Sequence, residues 1–222
     1  MTTPRDLQIV AMIVAAGGES PRPVDAGDLS LALAGAELID LLHAEAVTLD
    51  GDRIVPGERG RERGQGQDPS QGQDRTTPAD RLLDAAAASL VRQAPYESVE
   101  DWLWRRGRGL SAVYRAALKE EGLSLRKRRL RLRLRAGRTA PAGSSAARGH
   151  AAGRWASGEP VLAALAAAAG IRDAPADDAL SGTDDAVMTV LAAVNEAVVE
   201  LEAVRQRRTV EQAAFDNIWR GA

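Results

Sequence analysis

Apolar residues in this chain recur mostly at helical spacing. Residues 5–16 form a short apolar element that reads as a helix, and GGESPRPVDAGD after it reads as a loop. From Leu29 to Ala46 the positions Leu33, Leu38, Leu41 and Leu42 suit one face of an amphipathic helix. The segment VTLDGDRIV then sets an Asp-Gly pair between two β-prone runs, which predicts a hairpin. Thr77 and Pro78 read as the N-cap and first residue of a helix reaching about Gln93. Ser98-Val99-Glu100-Asp101 resembles a capping box that opens the next helix. Gly107 and Gly109 interrupt it, and a further helix from Leu110 to Glu121 stops at Gly122. An alanine-rich helix is expected over 160–169. An acidic loop with Asp173, Asp177, Asp178, Asp184 and Asp185 then caps a long last helix. There Val187, Val190, Leu191, Val194, Val198 and Leu201 keep i, i+3, i+4, i+7 spacing.

Three segments depart from that pattern. Residues 57–76 are rich in Gly, Gln, Arg and Asp with almost no apolar side chains, and read as a flexible loop. Residues 136–154 are small and polar, and read as a loop. Between them, RKRRLRLRLRAGR (126–138) alternates Leu130, Leu132 and Leu134 with Arg129, Arg131, Arg133 and Arg135. A period of two belongs to a strand, so this segment is expected to form a hairpin with one leucine face and one arginine face. The expected fold class is mainly α: a single helical domain over 1–204 with short β-hairpins, one of them (123–138) basic and protruding, and a helical tail over 205–222.

The formal net charge of −2 conceals a separation. Residues 102–138 carry 13 Lys and Arg against two acids, Glu120 and Glu121, and the rest of the chain is correspondingly acidic. A basic block of this kind suggests a polyanionic partner. The longest apolar run outside the N-terminal segment, residues 161–169, is far below the roughly 18 residues of a membrane span. A cytoplasmic protein is expected, meeting any membrane only at its surface.

Little in the chain suggests catalysis. There is no cysteine, and the two histidines, His43 and His150, stand apart from any metal-ligand pattern. Gly107-Arg108-Gly109-Leu110-Ser111-Ala112 matches G-x-G-x-x-A. A helix precedes it, however, where a dinucleotide site has a strand, and arginines follow where that site has an acid. No enzyme activity, cofactor, metal or small-molecule substrate is expected.

The basic segment admits several readings. Its leucines can pack on the body with the arginines in water, or the arginines can pair with acidic surface on the same chain or on a second copy. In a nucleic-acid reading, helix 110–121 and the hairpin form a helix-and-wing arrangement, although that helix lacks the usual base-reading side chains. In a membrane reading, the arginines contact lipid phosphates and the leucines enter the interface.

The order LALAGAELIDLLHAEAVTLDGDRIV, TTPADRLLDAAAASL, YESVEDWLWRRGRGL and YRAALKEEGLSL resembles the Golgi phosphoprotein 3 family, in particular its bacterial members, from about residue 5 to about residue 200. The resemblance implies a mostly helical domain that docks on membranes by binding phosphatidylinositol 4-phosphate, with a hairpin aiding insertion. In eukaryotic members a tryptophan, an arginine on the helix equivalent to 29–46, and two arginines three residues apart line the headgroup pocket. Those positions fall at Asp25, at Ala34, and at Arg108 and Ser111, so Arg108 is the one that matches. Trp102, within VEDWL, is expected in the core and Trp104 at the surface.

The expected function is therefore non-enzymatic peripheral binding to anionic lipid headgroups at the inner face of the membrane. Arg108, Arg126, Arg129, Arg131, Arg133 and Arg135 are the candidate headgroup residues, and Leu130, Leu132 and Leu134 the candidate inserting residues. The alternatives are a nucleic-acid-binding protein and a module that self-associates through the hairpin.

Overall fold

The computed structural model describes residues 2–17, 23–57, 78–123, 142–171 and 177–220. In chain order the elements are α1 (Thr3–Gly17), α2 (Ala26–His43), β1 (Val47–Asp50), β2 (Arg53–Pro56), α3 (Pro78–Ala88), α4 (Val99–Arg106), α5 (Leu110–Glu120), α6 (Ala142–Ala156), α7 (Pro160–Ala168), a 3-10 turn (Asp177–Leu180) and α8 (Asp185–Arg220). The fold is mainly α, as expected. The expected basic hairpin, with Arg126, Arg129, Arg131, Arg133, Arg135, Leu130, Leu132 and Leu134, lies outside the described residues, as does the 57–76 loop apart from Gly57.

The molecule is organised around α2. Every residue from Leu29 to Ile39 is buried, as is Leu41, so the expected one-sided helix is covered all round. Its run of Leu, Ala, Gly and Ile suits that position, because a helix apolar on every side belongs in a core. α1, α4, α5, α7 and α8 pack around it. At Gly35 an added Cβ would stand 2.4 Å from Val194 Cγ2, so glycine is what lets α8 approach α2 this closely. Trp102 is fully buried, and its Nε1 donates to the Ala34 carbonyl across 3.0 Å. Trp104, expected at the surface, is instead half-buried against the core.

Local signals set the element ends. Ser98 caps α4, accepting from the Asp101 amide at 3.0 Å, while its hydroxyl donates to the Asp101 carboxylate. α5 ends with Gly122 at φ +81°; Gly122 N–H donates to Lys119 O and Leu123 N–H to Leu118 O, with Leu118 and Leu123 both buried beneath the turn. In the β1–β2 hairpin Asp50 pairs with Arg53, so the central turn residues are Gly51 and Asp52, with Gly51 at φ +60°.

Several expected boundaries are corrected. α2 starts at Ala26, three residues before Leu29, because Asp25 caps it, and it ends at His43. α3 stops at Ala88, short of Gln93. There the Ser89 hydroxyl takes the Ala86 carbonyl at 2.9 Å, a local bond that competes with helix continuation. The expected 136–154 loop contains α6. Ala147 and Ala151, four residues apart, are buried where α6 meets α1. Arg154 bonds the fully buried Asp6 at 2.8 Å and Glu159 at 2.9 Å. Packing of two alanines and a buried ion pair make this helix, which periodicity of large apolar residues does not reveal. α8 runs unbroken through residues 204 and 205.

A buried polar cluster ties α2 to α3, α4 and α5. Glu37 is fully buried and accepts from Arg106 Nε at 2.7 Å, Arg106 Nη2 at 2.9 Å and the Tyr114 hydroxyl at 3.0 Å. Arg106 also donates to the Leu82 carbonyl of α3 at 3.0 Å. Burial raises the Glu37 carboxyl above its ordinary range, outweighing the lowering by Arg106 and Tyr114. Burial and the Glu37 carboxylate also raise the Tyr114 phenol, which therefore stays a donor.

Two sets of outcomes are expected. Gly35→Ala overpacks the α2–α8 contact and lowers stability by about 1–3 kcal/mol in urea titration, a loss that Val194→Ala partly reverses. Gly149→Ala and Gly153→Ala, on α6 where an added Cβ meets nothing within 4 Å, each raise stability by about 0.5–1 kcal/mol. Arg106→Met leaves Glu37 buried without its cation and costs about 3–5 kcal/mol. The pH dependence follows from the raised Glu37 carboxyl. The folded state holds this proton to higher pH than the unfolded chain, so the contribution is full below the ordinary value of 4.5 and is lost as pH rises through the raised one. In paired melts the stability of the wild type relative to Glu37→Gln should therefore fall as pH rises from about 4.5; a difference that grows with pH contradicts the assignment.

Candidate functional site

The first turn of α2, the α4–α5 turn and α8 converge at one end of the molecule. Asp25 caps α2, its carboxylate accepting from the Gly27 amide at 2.7 Å and the Asp28 amide at 3.3 Å. The Ser30 and Ser111 hydroxyls both donate to the Ala26 carbonyl, at 2.6 and 3.1 Å, and the Ser111 amide donates to Ser30 Oγ at 3.1 Å. These bonds fasten the start of α5 to the start of α2. Gly107 closes α4 where an added Cβ would stand 2.5 Å from the Leu103 carbonyl oxygen and 3.3 Å from that of Ser30. Gly109, at φ +69°, then turns the chain into α5.

Arg108 lies between these glycines, held outward by a turn that is anchored on both sides. It is exposed and forms no ion pair or hydrogen bond among the described residues. Arg205 of α8 is the second cation here, and it is engaged. Its Nη1 donates to Asp28 at 2.8 Å and its Nη2 pairs with Asp25. An added Cβ at Gly27 would stand 2.6 Å from that Nη2, so the glycine makes room for the guanidinium over the first turn. Burial lifts the Asp28 carboxyl above its ordinary range against the pull of Arg205. Burial works to lower the Arg205 guanidinium, and Asp28 and Asp25 more than compensate.

Of the four positions that the resemblance marks, three are committed to the fold. Asp25 caps α2 and pairs with Arg205. Ala34 is fully buried with its carbonyl taken by Trp102. Ser111 is 2% exposed and bonded to α2. Arg108 is exposed and has no partner among the described residues. One free guanidinium offers a two-point contact to a phosphate, whereas a pocket for a multiply charged headgroup draws on several convergent donors. Sequence reading missed Arg205, whose partners lie about 180 residues away and carry no local signature.

The two histidines are placed apart. His43 is exposed at the end of α2, and His150 is on α6, its Nδ1 3.1 Å from the Asp6 carboxylate. Among the described residues no group of three His, Cys, Asp or Glu could hold a metal ion, and no helix is long and apolar enough to cross a membrane.

Comparison with curated proteins and with solved structures returns no match. A family model does match, and it covers the bundle described above from within α1 to near the end of α8, the α4–α5 turn and Arg108 included. The chain belongs to the Golgi phosphoprotein 3 (GPP34) family, whose model spans residues 10–212.

Proposed function

We propose that this protein acts without catalysis, docking on the surface of membranes that carry anionic lipids. The observation that carries the reading is family membership over residues 10–212, joined to the one family headgroup position that keeps its arginine, Arg108, exposed on a braced turn and without a partner among the described residues. The basic run that follows α5, with Arg126, Arg129, Arg131, Arg133 and Arg135, adds charge on the same side of the sequence. A cation near an anionic leaflet gains about 1 kcal/mol, so several together bind where one does not. Leu130, Leu132 and Leu134 alternate with those arginines and would enter the interfacial zone.

The reading is generic anionic docking. Asp25, Ala34 and Ser111 stand where selective recognition of phosphatidylinositol 4-phosphate would draw on a tryptophan and two arginines. Binding is therefore expected to follow vesicle charge, whatever headgroup carries it. Co-sedimentation with neutral vesicles, with phosphatidylserine vesicles and with phosphatidylinositol 4-phosphate vesicles of matched charge tests this. The wild type should ignore the first and bind the other two about equally. Arg108→Gln should weaken binding about fivefold, and Arg131/Arg133/Arg135→Ala much further. A clear preference for the phosphoinositide would overturn the generic reading, and no binding to any vesicle would remove the membrane role.

A further inference from the structure

The outward face of α5 carries charges that the fold does not use. Leu110, Ser111, Tyr114, Ala117 and Leu118 are its buried side. The opposite side holds Ala112, Arg115, Ala116 and Lys119, all exposed. Arg115 and Lys119 stand four residues apart on this side, about 6 Å along the helix axis, and Arg108 lies in the turn that precedes the helix. None of the three forms an ion pair or hydrogen bond among the described residues.

This arrangement works against folding. Arg115 and Lys119 are like charges one turn apart, an arrangement that destabilises a helix. The arginines that tie the helices together are matched with acids: Arg5 with Glu121, Arg105 with Glu97, Arg106 with Glu37, Arg154 with Asp6 and Glu159, and Arg205 with Asp25 and Asp28. On the exposed side of α5 the one acid, Glu120, sits off the cationic line beside Val113, which is 45% exposed. The alanines at 112 and 116 keep the surface low, so the long cationic side chains stand clear of it.

We infer that this face of α5 is a docking ridge for an anionic lipid bilayer, with Arg115 and Lys119 as headgroup-contacting residues and Val113 at the rim of the contact. The inference rests on the membrane reading above and extends it to a second, ordered element. Two cations one turn apart among small side chains on an exposed face are suited to a plane of negative charge. A nucleic-acid face would add amide side chains for base edges or aromatic rings for stacking, and Ala112, Val113 and Ala116 supply neither.

The test compares full-length wild type, Arg115→Gln/Lys119→Gln and Arg115→Glu on neutral vesicles, phosphatidylserine vesicles and a duplex oligonucleotide, with thermal melts of each protein. Each neutralised cation should cost about a factor of five in partitioning, so the double variant should bind phosphatidylserine vesicles about 25-fold more weakly than wild type. Its melting temperature should not fall. Arg115→Glu should lose more binding while melting at the same or a higher temperature, because Glu at 115 pairs with Lys119. Wild-type binding with an unaffected double variant overturns the ridge and leaves the membrane reading standing. Wild type that binds no vesicle overturns both. Loss confined to the oligonucleotide overturns the lipid assignment in favour of nucleic acid.

Discussion

Enclosure of α2 from Leu29 to Ile39 is the constraint on which the rest of the structure depends. A helix buried on every side can present neither an unpaired charge nor a bulky residue without a prepared partner. Glu37, the fully buried acid of α2, accordingly meets Arg106 through two bonds and Tyr114 through a third. Gly35 admits Val194, and the Ala34 carbonyl takes the Trp102 ring nitrogen. Three of the neighbouring helices are thus positioned by particular residues of α2: α8 by Gly35, α4 by Ala34 and Glu37, α5 by Glu37 and, further up, by Ser30.

That constraint also determines what the candidate site can offer. A position inside the enclosed stretch, such as the fully buried Ala34, has no solvent to share with a ligand. Functional groups can emerge only where the enclosure ends, at the first turn of α2. There the acids Asp25 and Asp28 share the single cation Arg205, so the turn itself is net negative. Free positive charge begins one layer out, at Arg108, and continues along α5. The buried part of the site sets where α5 lies, and its exposed part sets the sign of what α5 attracts.

Local structure was legible where chemistry and position coincide within a few residues. Ser98 as a cap, Gly122 as a helix end and the Asp50-Gly51 hairpin each depend on bonds spanning at most a handful of positions. The mainly α class and the family followed from periodicity and motif order in the same way. α6 was not legible, since its seam consists of Ala147 and Ala151, whose burial carries no more hydrophobic signal than the exposed alanines beside them. Nor was the full burial of α2, because Asp40 and Glu37 suggest a wet face that the structure instead fills with Arg106 and with the Thr3 amide, 2.8 Å from Asp40. Of the site, Arg108 could be read from its motif, whereas the Arg205 latch depends on contacts nearly the whole chain apart. The hairpin arginines and leucines remain a sequence argument, resting on period alone.

The separation of charge along the chain acquires a physical sense from this arrangement. Arginines that hold the core or pin its helices are each answered by an acid at hydrogen-bonding distance, and such pairs are insensitive to what lies outside. Among the described residues Arg108, Arg115 and Lys119 are not answered, and the like charges of Arg115 and Lys119 on an exposed helix face are a cost that folding alone does not explain. Screening reduces that cost without removing it, because the side chains stand one turn apart, within a Debye length at physiological salt. A surface of opposite sign removes it. An exposed cationic face on a chain of net charge −2 would be met by an extended anionic plane with no pocket at all, which is the partner proposed above.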